Sequence, residues 1–277
     1  MVLITASIME VIMEERTKRN KVFKYLCLVL ILFSLIGCSR KPTEEEPIDE
    51  PISDVIEQPE PVRNLIPEDK KEEYRSLWNE KHDINSDYVG QVFFESGLIN
   101  EPVVFYPNNE RYLHLDFYTK EYNLYGTVFE DFNTRYDSQN TVIYGHIVNE
   151  IYDPEGVIRF TPLKNLVDQE NYEKNKTVYL LLENELREYV IASVFHVELY
   201  EENGLQYPEP NLVYYYADYD KAYFQKYMYE IKNVQFYDTG VECNYEDKFL
   251  TLQTCVIRTP EKREIVLCKL INTFYYE

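Results

Sequence analysis

Cys255 and Arg263 are the residues whose types and spacing could best support chemistry on an acyl group. Cys255 ends the apolar run TLQTC, and a turn containing Thr259 and Pro260 separates it from Arg263. If a hairpin is centred near residue 259, the two side chains lie opposite each other, with Cβ atoms about 5 Å apart on one face. A guanidinium in that place could stabilise a thiolate or a substrate oxyanion. Arg258 is the rival cation, but it lies within the turn.

A thiol nucleophile also needs a base, and histidine is the usual choice. His146 ends the run TVIYGH directly after Gly145, and a strand end beside a flexible glycine is a typical place for a functional side chain. From spacing alone, Cys255 could equally be a small apolar strand residue, and Arg263 an exposed strand-end charge. The four candidate bases are His82, His114, His146 and His196.

Composition narrows the class of protein. The 277 residues carry a formal net charge of −21, which argues against nucleic-acid binding because phosphate recognition needs a cationic surface. The five cysteines form no C-x-x-C pair, so the sequence supports no metal site and no cofactor. A disulfide between Cys243 and Cys268 remains an alternative to free thiols. The 27 tyrosines and other strand-favouring residues indicate a β-rich domain.

The amino terminus reads as a targeting segment. A basic cluster between Arg16 and Lys24 precedes the apolar run 25–36, whose 12 residues are shorter than the roughly 20 that a transmembrane helix needs. The run ends in Leu-Ile-Gly-Cys38, which resembles the lipobox of bacterial lipoproteins, where the cysteine is lipidated. An uncleaved signal-anchor helix is the alternative. Either interpretation predicts a protein anchored on the extracytoplasmic face of the cell membrane.

The rest of the chain divides into a spacer and one domain. After the signal at 1–38, the acidic, proline-rich segment 39–66 predicts an extended linker, and 67–277 predicts the folded domain. A helix is expected over 67–82 and another over 219–232, capped by Asp218 or Asp220. Eight strands are expected, which implies a closed or nearly closed barrel. These strands are 89–95, 102–106, 126–131, 141–146, 177–183, 189–199, 249–255 and 263–272.

Two of these segments carry a family resemblance. TVIYGH at 141–146 and TLQTC at 251–255 resemble the signature segments of sortases, the cysteine transpeptidases of Gram-positive bacterial surfaces, and Arg263 matches the family arginine. YDTGVECNYEDKFLTLQTC at 237–255 and YLHLDFYTKEYNLYGTVFED at 112–131 are similar to class B sortases. The similarity covers roughly residues 67–277. Gln91 departs from the family, which more often has tryptophan there, and this position is expected to serve packing.

The resemblance implies a fold and an activity. The expected fold is mainly β, an eight-stranded sortase-type barrel with an amino-terminal helix, and with a second helix before the cysteine-bearing strand that walls the substrate groove. Cys255 is then the nucleophile, His146 its acid/base partner and Arg263 the cationic stabiliser, with Thr254 and Tyr144 as supporting or simple strand-packing residues.

The resemblance also implies the substrates. They would be secreted proteins with a carboxyl-terminal sorting signal, of an Asn-Pro-x-Thr or other proline-containing type, cleaved after Thr. The acyl group would pass to an amine of a peptidoglycan precursor, a pilin or another surface protein. A cysteine peptidase, or a non-enzymatic peptide-binding lipoprotein, is the alternative.

Overall fold

A computed structural model describes residues 63–277, so the predicted signal segment, Cys38 and the linker up to residue 62 lie outside the described part. The elements follow one another as β1 (Asn64–Leu65), α1 (Glu68–Ile84), β2 (Tyr88–Phe94), β3 (Asn100–Phe105), β4 (Val128–Glu130), β5 (Asn140–Tyr144), α2 (Gln169–Glu173), β6 (Thr177–Leu181), β7 (Glu185–Glu202), β8 (Leu205–Pro208), α3 (Lys221–Val234), β9 (Phe249–Val256) and β10 (Thr259–Tyr275). Short 3₁₀ turns occur at Arg111–Leu113 and Thr161–Val167.

Eight strands close into a barrel. Their order is β10-β9-β5-β4-β3-β2-β6-β7, and β7 pairs back onto β10 to complete the ring. The short β1 and β8 extend the sheet outside this ring. All eight predicted strands and the predicted barrel are therefore confirmed.

The strands β1 and β8 were not predicted. β8 follows a two-residue turn at Asn203 and Gly204, both with positive φ, which suits a tight hairpin. Asn64 and Leu65 pair with the end of β10 and Ile66 is buried, although the predicted linker includes all three. The folded domain thus contains these residues as well.

Alternation along the strands gives the barrel wall two apolar faces. On β9, Leu250 and Leu252 point into the inner core with residues such as Val128 and Val266, whereas Phe249 packs in an outer cluster. The inner face is the barrel core. The outer face would be exposed if no other element covered it.

Helix α3 covers this outer face. Asp220 caps it, because its side chain accepts hydrogen bonds from the backbone N–H groups of Ala222 and Tyr223, at 2.9 and 3.2 Å. Phe224, Tyr227 and Ile231 are buried in the outer cluster, as the helical spacing predicted. The helix thus packs against β7, β9 and β10 on the outside of the barrel.

Helix α1 matches the predicted amino-terminal helix and extends two residues further. Acidic Glu68 and Asp69 stand in its first turn, and Lys81 and His82 in its last, which complements the helix dipole. No helix among residues 63–277 is long and apolar enough to cross a membrane.

The hairpin between β9 and β10 differs from the prediction in its turn. Val256 pairs with Thr259, so the turn is centred on Ile257 and Arg258 rather than near residue 259. Without an irregularity, Cys255 would then lie opposite Pro260. A bulge at 260–262 absorbs three residues and restores the predicted pairing of Cys255 with Arg263.

Candidate active site

A pocket of about 230 Å³ opens where β5, β9 and β10 meet. Cys255, His146 and Arg263 all line it, although they are far apart along the sequence. Its other lining residues are Asn109, Leu113, Phe129, Tyr144, Gly145 and Gln253. No carboxylate lines the pocket, which is notable in a chain with a net charge of −21. The local electrostatics therefore favour a negative charge on sulfur or on a substrate oxygen.

The thiol of Cys255 is accessible from this pocket. Cys255 is half-buried near the end of β9, whereas Cys268 on β10 is fully buried in the barrel core. Burial raises the pKa of the Cys268 thiol far above its usual range and that of Cys243 to about 11. All three cysteines in the described part of the chain are free, including the Cys243 and Cys268 pair for which a disulfide was the alternative.

The imidazole ring of His146 contacts a backbone carbonyl. Its Nε2 atom lies 2.9 Å from the carbonyl oxygen of Leu113. Because a carbonyl can only accept, this contact assigns the hydrogen to Nε2 and leaves Nδ1 as the basic atom of the neutral ring. Burial lowers the pKa of His146, with smaller contributions in the same direction from His114 and Arg159 and an opposing one from the Leu113 contact.

Gly145 next to His146 serves close packing rather than flexibility. A Cβ atom at this position would lie 2.5 Å from the ring of Phe160, which is fully buried. The Gly145 N–H donates to the Gln253 carbonyl at 3.1 Å, and the His146 carbonyl accepts from the Phe160 N–H at 3.0 Å. Only glycine lets the chain approach this core residue without a clash.

The guanidinium of Arg263 is hydrogen-bonded to the backbone of the bulge that precedes it. Its Nη1 donates to the carbonyl oxygens of Pro260 and Lys262, at 2.8 and 2.9 Å, and its Nη2 donates to the side chain of Gln206 on β8 at 3.2 Å. The rival cation, Arg258, is exposed and forms a 2.6 Å ion pair with Glu150 outside this pocket. The geometry thus favours Arg263 over Arg258 as the cation nearest to Cys255.

The predicted supporting residues take different positions. Tyr144 lines the pocket, and its hydroxyl donates to the buried carboxylate of Asp131 at 2.8 Å, which also accepts from Asn109 at 2.7 Å. Thr254 is fully buried and shares the inner face of β9 with Leu252. The structure therefore does not bring Thr254 to the pocket, and this residue has the strand-packing role that the sequence left open.

The other three histidines do not line this pocket. His82 stacks on Trp78, and His196 lies 3.6 Å from Glu264. His114 stacks on the His146 ring, with ring centres 5.8 Å apart, so it influences the candidate base without reaching the thiol pocket.

Several pocket residues were missed from the sequence. Gln253 could have been found, because it precedes Cys255 by two positions and must share its face of the strand. Asn109 and Leu113 come from a long irregular connection whose path no periodicity predicts. Helix α3, expected to wall the groove, contributes no residue to the pocket lining and acts from behind through the outer cluster.

Known proteins resemble this chain in sequence and in fold. No protein-family model matches the chain. Sortase B of Staphylococcus aureus is 26% identical over 207 residues, covering 73% of this chain and 78% of that protein. The structure of Clostridium perfringens sortase B is 27% identical, with a TM-score of 0.58 over 70% of this chain and 99% of that one. The chain is thus similar to class B sortases in both sequence and fold.

A further solved structure agrees. The Staphylococcus aureus sortase B–substrate complex matches with a TM-score of 0.59 and 25% identity, over 72% of this chain and 86% of that one. This similarity supports a cysteine transpeptidase of sortase class B. Gln91 occupies the position where the family more often has tryptophan. It is buried and its side chain donates to Asn100 at 2.6 Å, so it packs in the barrel wall as expected.

Proposed function

We propose that this protein cleaves a carboxyl-terminal sorting signal after Thr and transfers the acyl group to an amine. As the Cys255 sulfur adds to the threonine carbonyl carbon, the thiol proton passes to His146, and the carbon–nitrogen bond then breaks to give a thioester. His146 supplies the proton with which the severed peptide leaves as an amine. The acceptor amine loses a proton to His146 as it attacks the thioester, and this proton passes to the Cys255 sulfur as the carbon–sulfur bond breaks, which restores the free thiol.

Arg263 is proposed to stabilise the oxyanion that forms at the threonine carbonyl or to hold the substrate backbone. It pairs across the hairpin with Cys255, so its guanidinium reaches the same pocket. A preformed donor near a developing oxyanion is worth roughly 10²–10³ in rate. Tyr144 is proposed to support substrate binding from the pocket wall, while its hydroxyl stays protonated because burial raises its pKa.

The substrates are proposed to be secreted proteins with a proline-containing signal of the Asn-Pro-x-Thr type. The acceptor would be an amine of a peptidoglycan precursor, a pilin or another surface protein. Anchoring on the extracytoplasmic membrane face, through a lipid on Cys38 or a signal-anchor helix, would bring the enzyme to both. The Staphylococcus aureus relative, whose structure was solved with a substrate, supports a peptide signal as the substrate.

One observation carries this proposal: a thiol, an imidazole and a guanidinium from three separate strand ends meet in one pocket that contains no carboxylate. A peptidase would use the same groups, so the acceptor decides between the two reactions.

The full-length protein should therefore be incubated with a library of sorting peptides and one amine at a time, namely glycine, lysine or diaminopimelate. Mass spectrometry should detect a peptide joined to the amine through its threonine carbonyl. Hydrolysed product alone at saturating amine would contradict transfer and favour the peptidase.

Two cysteine variants complete the test. Cys255→Ala should reduce turnover by at least about 10³-fold, because no other group in the pocket can form the thioester. Cys268→Ala is the matched control: it should cost about 1–2 kcal/mol of stability through a core cavity while turnover persists. Turnover that survives in the first variant, or disappears in a folded second variant, would refute the assignment of the nucleophile.

A further inference from the structure

A second and larger cavity, of about 680 Å³, is lined by residues of helix α1 and of the barrel strands. Glu130 on β4 lines it, two residues after the core residue Val128, so its side chain points inward. Trp78 and His82 of α1 also line this cavity. Its volume falls within the range of small-molecule sites, roughly 300–1,000 Å³.

The cavity is separate from the thiol pocket. Arg187 of β7 lines it and pairs with Thr273 of β10, whereas Val197 of β7 pairs with Arg263. On β4 the two sites lie on opposite faces of the barrel wall, because Phe129 lines the thiol pocket and the next residue, Glu130, lines the cavity. No residue lines both the cavity and the thiol pocket.

The cavity combines an apolar wall with charged side chains, of which Arg187 has an ionic partner and Glu130 has none in the described part of the chain. Trp78, Tyr88, Phe105, Leu180 and Leu182 supply aromatic and aliphatic surface. This wall matches the composition of pockets that bind the apolar body of a ligand.

The positive charge of Arg187 is already compensated. Its Nε donates to the buried carboxylate of Glu185 at 2.5 Å, and its Nη2 donates to the carbonyl of Tyr136 at 3.0 Å. Glu130 differs: among residues 63–277, no hydrogen bond and no ion pair engages its carboxylate. Burial raises the pKa of Glu130 to about 7, against the opposing influence of Arg187.

We propose that this cavity binds a small organic cation, an amine with an aromatic or branched aliphatic body, whose charged end pairs with Glu130. The ammonium would supply the partner that the carboxylate lacks, and the apolar body would lie against Trp78, Tyr88 and Phe105. An anionic ligand would instead meet the unpaired carboxylate of Glu130 and the guanidinium of Arg187 that Glu185 already neutralises, while the other arginine of the lining, Arg135, is exposed to solvent.

The test uses the full-length protein and its only tryptophan, Trp78, as a reporter within the cavity. Phenylbutylamine is the probe, with phenylbutanol and phenylbutyrate as neutral and anionic analogues of similar shape. Titration should change the Trp78 emission and give a calorimetric binding signal for the amine. The amine should bind at least about tenfold more tightly than the alcohol, because an ionic hydrogen bond is lost in the alcohol.

Two carboxyl variants localise the charge. Glu130→Gln keeps the shape and should weaken amine binding by about tenfold or more while leaving alcohol binding unchanged. Glu183→Gln, at an exposed residue that lines the same cavity, is the matched control and should bind the amine as the parent does. No amine binding, equal binding of phenylbutyrate, or equal losses in the two variants would overturn the proposal.

The pH dependence provides an independent readout. The amine affinity should rise between about pH 6 and about pH 8, because the Glu130 carboxyl ionises over this range while the amine stays charged. The other charged or titratable groups facing Glu130 are His82, Arg135, Asp131, Glu183 and Arg187. If the rise persists unchanged in Glu130→Gln, one of these groups is responsible and Glu130 is not the binding carboxylate.

Discussion

The two partners of Cys255 reach the thiol pocket on very different supports. His146 stands on a segment bonded on both sides to the barrel, and Gly145 lies against the buried ring of Phe160. Arg263 stands at the end of an irregular hairpin, where Arg258 has a positive φ and a three-residue bulge precedes the regular pairing. The base is thus positioned by the core, and the cation by a turn.

This difference affects which hydrogen bonds are available to a substrate. Arginine has five N–H donors, and both donors on Nη1 and one on Nη2 of Arg263 are used by the bulge and by Gln206. An oxyanion must therefore use the remaining donors or replace one of these contacts. The Nδ1 atom of His146 needs no such exchange, because Nε2 alone contacts Leu113. We infer that the arginine side of the site adjusts on binding more than the histidine side does.

The largest expected effect separates the two arginines of the hairpin. Arg263→Lys keeps the positive charge but loses the planar fork of donors, so kcat/KM for transfer should fall by about 10²–10³-fold. Steady-state kinetics with a sorting peptide and an amine acceptor measures this fall. A lysine variant with parental activity would show that charge alone suffices and that the fork is not used.

Arg258→Lys is the matched control for this substitution. Arg258 is five residues away along the same hairpin, but it is exposed and pairs with Glu150 outside the pocket. Its replacement should leave kcat/KM within about twofold, because exposed ion pairs contribute little. A comparable loss in both variants would indicate that the turn, rather than the Arg263 guanidinium, controls the rate.

The second prediction tests the packing that positions the His146 segment. Gly145→Ala places a methyl group 2.5 Å from the Phe160 ring, so either the ring or the His146 segment must move. We expect a loss of about 1–3 kcal/mol in the free energy of unfolding. A displacement near 1 Å should also reduce kcat/KM by up to about 10²-fold. Denaturant unfolding and kinetics on the same sample separate the two effects.

A compensating substitution sharpens this experiment. Phe160→Leu alone creates space beside Gly145 at some cost in stability. Combined with Gly145→Ala, it should restore part of the lost activity, since the smaller side chain makes room for the methyl group. If the double variant is no more active than Gly145→Ala alone, the clash with Phe160 is not the reason why glycine occupies position 145.

The same contrast explains what could be predicted from the sequence. Strand alternation and hairpin pairing are local rules, and they placed Cys255 opposite Arg263 even though the turn was predicted near residue 259 and lies at Ile257 and Arg258. The bulge that corrects this error has no periodic signal. The position of His146 depended on the family motif, because the approach of Gly145 to Phe160 is a tertiary contact. Asn109 and Asp131 were missed for the same reason, as their hydrogen bonds join segments that only the closed barrel brings together.

The smallest expected effect concerns the ring stacked on the base. His114 disfavours a positive charge on His146 and so contributes to its lowered pKa. His114→Asn should raise the pKa of His146 towards its usual value. Because the base works as the neutral imidazole, the acidic limb of the kcat/KM profile should then move to higher pH. A titration of the histidine ring protons by NMR measures the same shift directly.

His196→Asn, which removes a histidine outside the pocket, should leave the His146 titration unchanged. A downward shift in His114→Asn would mean that the His114 ring favours the charged form of His146, and the electrostatic account of this pair would have to be abandoned.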